Sequence, residues 1–398
     1  MGNYLNPDIS TFARVVNSEI YVDKTGLIEY TNRSAKTLQS YICISRPRRF
    51  GKSIAANMLS AYYTCEYDSR ELFSNFKIAS SDSYEKHLNK YDVIFLNMQE
   101  FLSQSSNVEE MLSLLKKSVI WDLLDKYPDF RYFDETNLMR TLQDIYNKTK
   151  RPFVVIIDEW DCIFREYITD KKAQEKYLDF LRDLLKDKGY VALAYMTGIL
   201  PIKKYGTHSA LNMFDEFSMT NPGPLAAFTG FTEWEVKVLC EQYKMDFFEI
   251  QRWYDGYCFG GDTHIYNPRS VVSAMLTGDY DNFWNKTETF EALRNYIVMN
   301  YKGLKDTVVN LLAGGRRTVN TNTFSNDMTT FQSADDVLTL LVHLGYLGYD
   351  FISREVFIPN SEISSEFFNA VESAGWDMVV KSIEQSKKDS GGHMEYGQ

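Results

Sequence analysis

An α/β fold, a parallel sheet flanked by helices, is what the sequence predicts, and three observations predict it. The first is Phe153-Val154-Val155-Ile156-Ile157, a nearly unbroken β-branched run of the kind that fills a strand buried on both faces. The second is a short apolar run from Tyr41 to Ser45, bounded by Pro and Gly and followed from Ile54 to Tyr63 by apolar residues at helical spacing. The third is the recurrence of such runs, Asp92 to Asn97 and Val191 to Met196, with amphipathic stretches between them.

The loop joining the first strand to its helix reads Arg46-Pro47-Arg48-Arg49-Phe50-Gly51-Lys52-Ser53. Its Gly-Lys-Ser end is the phosphate-gripping half of a P-loop, where backbone N–H groups and a helix N-terminus cradle phosphate. Lys52 would reach the β and γ oxygens, and the Ser53 hydroxyl would take a Mg2+ position. The full pattern has Gly where Arg46 stands, and Pro47 has no N–H. The cradle is drawn mainly from groups nearer the lysine, so Arg49, Phe50, Gly51, Lys52 and Ser53 are the candidate phosphate binders.

The Phe153 strand ends in Asp158-Glu159, at the edge where doubly wound sheets place their ligands. In a Walker B arrangement Asp158 holds Mg2+ through its water shell and Glu159 activates the attacking water. A solvated acidic turn is the plain alternative, and the P-loop on the companion strand argues against it. The Val191 strand ends in Thr197-Gly198. Thr197 there either senses the γ-phosphate or lytic water, or satisfies a loop. The core is thus predicted to be a P-loop NTPase that takes ATP and Mg2+.

Composition narrows the setting. At 398 residues the chain exceeds one ordinary core, and 44% hydrophobic with 15% aromatic content can build two or three domains. No apolar run approaches the roughly twenty residues of a membrane span, and no signal-peptide core opens the chain, so a cytoplasmic protein with no membrane partner is expected. The 5 cysteines and 5 histidines are scattered without metal-ligand spacing. A net charge of −11 opposes a broad grip on nucleic acid.

In chain order, Tyr21 to Thr25 reads as an extended piece before a helix from Gly26, able to fold over a base but more simply an edge element. Helical stretches follow at 107 to 126, 134 to 148 and 173 to 187, the last stopped by Gly189. Asn221-Pro222-Gly223-Pro224 is the clearest linker, so residues 1–220 form the NTPase domain and 221–285 a helical lid. Thr232-Glu233-Trp234-Glu235 is a capping box, and Asn267-Pro268 starts a helix that Gly278 stops. In 286–388 a helix from Ala334 to Leu344, stopped by Gly345, precedes β-rich pieces at 346 to 352 and 355 to 358. That order is winged-helix-like, but the helix carries Asp335 and Asp336 and no cation, which suits packing better than DNA. Residues 361 to 388 read as helix again.

Tyr-Val-Asp-Lys-Thr at 21 to 25, the 46 to 53 loop, Ile-Asp-Glu at 157 to 159 and Thr-Gly-Ile at 197 to 199 resemble the predicted AAA-ATPase-like family. So do Gly230-Phe231-Thr232, Trp253-Tyr254-Asp255-Gly256-Tyr257, Tyr266-Asn267-Pro268 and Ile358-Pro359-Asn360. The likeness runs from about residue 5 to 385, and Arg46 in place of the first Gly is usual in that family. It implies an ATP-binding core with Gly51, Lys52 and Ser53 on phosphate and Mg2+, and Asp158 and Glu159 on Mg2+ and water. The family's usual C-terminal PD-(D/E)XK nuclease-like domain has no counterpart after residue 360.

Two functions fit these residues. One is an ATPase whose hydrolysis of Mg-ATP drives a conformational change, completed by an arginine finger for which Arg316-Arg317 is a candidate. The other is a nucleotide-gated interaction or regulatory module with little turnover, acting with a nuclease-like partner or domain. Both bind ATP or ADP and leave room for a homo-oligomer or protein partner; this chain alone offers no support for nucleic acid binding. At Asp389 the composition turns abruptly to Ser-Gly-Gly-His-Met-Glu-Tyr-Gly-Gln, so 389–398 is expected to be a disordered or frameshifted tail. With one choice of codons, a one-base shift converts it to Thr-Leu-Glu-Ala-Thr-Trp-Asn-Met-Asp, similar to the family's helical continuation.

Overall fold

β-Branched strands buried on both faces need helices on both sides, and parallel pairing needs long crossovers between them. A computed structural model of the chain describes residues 2–202, 210–259, 263–284, 290–298, 301, 303–325, 328 and 331–376. By its contacts the chain forms two units. The first is Met1–Pro47, Gly51–Ser218 and Asn326–Thr329, and the second is Arg48–Phe50, Met219–Ser325 and Thr330–Gln398.

The first unit holds a five-stranded sheet of β1 (Tyr41–Ser45), β2 (Asp92–Asn97), β3 (Phe153–Asp158), β4 (Val191–Gly198) and β5 (Asp215–Phe217). Their order is β2-β3-β4-β1-β5 and every neighbouring pair is parallel. β3 is buried at every residue. The helix Lys52–Tyr63 packs on β2, β3 and β4, while Val108–Lys126 packs against Leu138–Thr149 and Lys171–Leu185. The alternation is that of an α/β P-loop fold.

Four strands were legible as apolar runs; β5 was not. It is three residues long and opens with Asp215-Glu216, so it carries no strand signal of its own. It exists because β1 offers it an edge, Ile42 opposite Asp215 and Ile44 opposite Phe217. The other edge is covered by the N-terminus. Leu5 bridges Ile94 on β2, Asn6 N–H donates to Val93 C=O (2.7 Å), and Asp122 accepts from Tyr4 N–H (2.7 Å) and Leu5 N–H (3.1 Å). A sheet edge is thereby paired within the chain.

Residues 221–285 are not all helical, contrary to expectation. The helices Glu233–Tyr243, Phe247–Tyr254 and Pro268–Thr277 accompany a small antiparallel sheet of β6 (Phe231–Thr232), β7 (Tyr257–Cys258) and β8 (His264–Tyr266), ordered β6-β8-β7. The expected capping box is formed: Thr232 accepts from Glu235 N–H and Glu235 from Thr232 N–H. A second three-stranded sheet joins β9 (Arg317–Thr318), which follows the helix Leu304–Leu312, to β10 (Gly348–Asp350) and β11 (Glu355–Phe357), which follow the helix Ala334–Leu344. This is winged-helix-like, and residues 337–343 are all buried, so that helix offers no reading face.

Of the helix read over 361 to 388, the described part is Ser361–Ser373, and residues 377–388 lie outside the described residues. Gly375 follows in the left-handed region (φ 78°), where a helix stops readily. The proposed tail at 389–398 lies outside the described residues. Among those described, no helix is long and apolar enough to cross a membrane.

Candidate nucleotide site

β1 ends at Ser45 and the chain turns through the loop into the helix Lys52–Tyr63. Arg46, where the general pattern has Gly, is fully buried and donates to Ser45 C=O and Phe217 C=O, both at 2.9 Å, tying the end of β1 to β5. Gly51 caps the helix in the left-handed conformation (φ 82°), and a Cβ there would meet nothing within 4 Å. The glycine therefore faces open space. The first helical bond runs from Ala55 N–H to Gly51 C=O (2.9 Å), so the N–H groups of Lys52, Ser53 and Ile54 precede it, the arrangement that favours an anion.

Lys52 is 4% exposed, and its ammonium donates to Pro47 C=O at 2.8 Å. Burial lowers its pKa, and Glu159, Asp158 and Asp161 oppose that shift. A buried cation held by one carbonyl and facing carboxylates suits phosphate oxygens. Ser53 is exposed beside it.

Arg49 and Phe50 belong with the second unit. The Phe50 ring is fully buried with its edge on Tyr257 (centroids 5.2 Å), its carbonyl accepts from Gly230 N–H (2.9 Å), and Arg49 donates to Trp284 C=O at 3.5 Å. Of Phe50 only the backbone can serve phosphate.

Sheet order explains the acidic side. β4 lies between β1 and β3, so Thr197 stands opposite Ile44 on one side and one place beyond the Ile157–Met196 pair on the other. Thr197 Oγ1 donates to Asp158 Oδ1, which also accepts from Glu159 N–H at 3.0 Å. Of the two readings of Thr197, the hydroxyl is engaged with the carboxylate expected to serve the metal.

Glu159 sits at φ 55°, unusual for a non-glycine, and turns the chain sharply out of the sheet. Trp160 N–H donates to Thr197 C=O (3.0 Å), and the Trp160 side chain is fully buried. A Cβ at Gly198 would come within 2.6 Å of the Trp160 indole and 2.8 Å of Asp161 Oδ1, so that position needs glycine.

Two residues were missed as functional candidates. Asp161, fully buried, accepts from Ile199 N–H (3.0 Å) and Leu200 N–H (2.8 Å) through Oδ2. Arg165 lies 3.3 Å from the same oxygen through Nε and donates to Glu159 Oε2 through Nη2 at 2.5 Å. Burial alone would lower the Arg165 pKa, but Asp161 and Glu159 carry it above its ordinary value. The i, i+4 spacing of Asp161 and Arg165 was the signal available in the sequence.

The Tyr21–Thr25 piece forms no strand. Asp23 accepts from Thr25 N–H (2.8 Å) and Lys77 N–H (2.8 Å), and Thr25 Oγ1 from Ile78 N–H (3.2 Å), a structural joint. Arg316, exposed, pairs with Asp350 (3.2 Å), and Arg317, in β9, pairs with Asp335 (3.3 Å). Those pairings argue against a free finger.

The loop, helix N-terminus and acidic strand end define the class: a P-loop, nucleotide-binding, ATPase-like protein. The chain belongs to the family described as Predicted AAA-ATPase, whose model matches residues 8–207. A protein of Azotobacter chroococcum mcd 1 described as "Uncharacterized protein in vnfD 5'region" is 23% identical over 291 residues, 71% of this chain and 53% of that one. The chain thus spans about half the length of this curated relative. Among solved structures, the Aeropyrum pernix ORC2 protein (ADPNP-ADP complexes) aligns at TM-score 0.39 and 14% identity, covering 94% of this chain and 98% of that one. AMPPCP-bound DnaA from Aquifex aeolicus aligns at 0.33 and 8%, covering 93% and 96%. A likeness this loose bears no weight on what this chain does.

Proposed function

We propose that the protein binds Mg-ATP at the Arg49–Ser53 loop and hydrolyses it, the turnover driving a change of conformation. The observation that carries this reading is the buried Lys52 ammonium, set beside the open space at Gly51 and in the field of Glu159, Asp158 and Asp161. Lys52 would neutralise the β and γ phosphates, with the N–H groups ahead of Ala55 holding the rest. Ser53 and Asp158 would hold the Mg2+. Both described bonds to Asp158 fall on Oδ1, which leaves Oδ2 for the metal's water shell.

Among the described residues no group of three or more His, Cys, Asp or Glu could hold a metal. The two oxygens offered by Ser53 and Asp158 fit Mg2+ bound with a nucleotide, which asks for one or two protein oxygens and completes its shell with phosphates and water. When bound, the ion supplies charge neutralisation at the phosphates. Glu159 accepts the proton of the attacking water.

The test combines calorimetry with a turnover assay. The parent should bind Mg-ATP and release phosphate, and Glu159→Gln should keep the affinity while losing most of the turnover, because an amide keeps the size but is no base. Parental turnover by Glu159→Gln would overturn the role given to that carboxylate. Binding without any turnover in the parent would replace the ATPase with the nucleotide-gated module.

A further inference from the structure

Arg165 is the cation whose place among these carboxylates the proposed chemistry leaves unexplained. Its side chain is 12% exposed and pairs at once with Glu159, 24% exposed, and Asp161, 0% exposed. The two partners differ in freedom. Asp161 is pinned by the backbone N–H groups of Ile199 and Leu200 just past the end of β4, and so fixes the guanidinium in turn. Glu159 is the less buried of the two and has only its Oε2 in the contact.

We propose that Arg165 is the positioning residue for Glu159: anchored on Asp161, its guanidinium grips one carboxylate oxygen and so sets the direction in which the other faces the reacting water. This rests on the ATPase reading above. The planar fork of Arg suits the task, since it hydrogen-bonds Glu159 and pairs ionically with Asp161 from one rigid group, where a Lys ammonium offers a single point charge. The short helix Cys162–Glu166 serves as the arm, with Arg165 N–H donating to Asp161 C=O at 3.3 Å. The left-handed turn at Glu159 brings its side chain back to that arm. A carboxylate on such a turn would otherwise sample several rotamers, and a misplacement of about 1 Å in a catalytic group costs on the order of 100-fold in rate.

The experiment has two arms on the full chain. In the first, ATP turnover and nucleotide affinity are measured for Arg165→Met and Arg165→Lys. The expected result is a kcat lower by roughly 10- to 100-fold in the Met variant, with nucleotide affinity held and a partial return in the Lys variant. In the second, thermal unfolding of the nucleotide-free protein is compared for Glu159→Gln, Arg165→Met and the double variant. The double variant should lose less than the sum of the single losses, since either change alone breaks the same pair. Parental kcat in Arg165→Met, a fall in affinity matching the fall in kcat, or additive unfolding shifts would overturn the assignment. Should Arg165→Met fail to fold, Arg165→Lys and Arg165→Gln carry the same comparisons. A parent that binds ATP without turning it over sinks the ATPase reading and with it the catalytic part of this one, whereas additive unfolding shifts in a parent that does turn over sink only the Arg165 clamp.

Discussion

Thr197 donates its hydroxyl to Asp158 across the β3–β4 pair, joining the ends of two central strands through one carboxylate oxygen. Both side chains are buried, Asp158 at 1% and Thr197 at 0% exposure, so the bond is shielded from water. Thr197→Val keeps the shape and removes the donor. It should cost about 1–3 kcal/mol in denaturant unfolding, the penalty for a buried polar group left short of a partner. Thr197→Ser should recover most of it. Equal unfolding midpoints for Val and Ser would show that the bond contributes nothing to the fold.

Lys52 sets function against stability. Its ammonium is held out of water and its pKa is lowered by that burial, so the nucleotide-free fold carries a poorly solvated charge. Lys52→Met should weaken Mg-ATP binding at least tenfold, only ~1.4 kcal/mol, while the nucleotide-free protein melts no lower than the parent. Calorimetry and a melting curve check the two halves separately.

The four long strands and the loop were readable because each is local: a β-branched run or a Gly-Lys-Ser turn declares itself within a few residues. Capping did so too, at Thr232–Glu235 and at Asn267-Pro268. What was unreadable depended on partners distant in sequence. β5 is a strand only because β1 has a free edge, Asp161 matters because β4 ends beside it, and the Phe50 ring packs in the second unit on Tyr257. The break after Ser373 went unread because an apolar spacing was followed past the glycine at 375.

Arg46 shows that restoring a motif can damage a protein. Arg46→Gly would complete the general P-loop pattern, yet it deletes the buried guanidinium that accounts for the Phe217 and Ser45 carbonyl contacts. A loss of roughly 3 kcal/mol or more in unfolding free energy is expected, the range of changes that break a buried polar network. A variant as stable as the parent would show that β5 does not depend on that stitch.

The second unit carries a buried carboxyl that makes its stability depend on pH. Glu362 is 1% exposed, and burial raises its pKa from 4.5 to about 7, against hydrogen bonds that pull the other way. Those come from Ser270 Oγ (2.9 Å to Oε2) and from the N–H groups of Phe283 and Trp284 (2.8 Å each to Oε1). Glu366, itself raised by burial and bonded to Asn282 at 2.6 Å, adds like charge nearby, and the Tyr254 and Tyr257 hydroxyls feel the same field. The neutral acid suits the site: Oε1 accepts both N–H groups while Oε2 shares a proton with Ser270. A carboxyl whose folded pKa lies above its unfolded one binds its proton more tightly when folded. Its contribution is therefore complete below the unfolded value of 4.5 and is lost as pH rises through about 7. The span corresponds to roughly 3 kcal/mol. Unfolding of the second unit, followed by hydrogen exchange at the Phe283 and Trp284 amides, should become easier between about pH 5 and pH 8. Glu362→Gln, which keeps an acceptor for both amides but cannot ionise, should flatten that dependence. An unchanged pH profile in the Gln variant would assign the slope to another group.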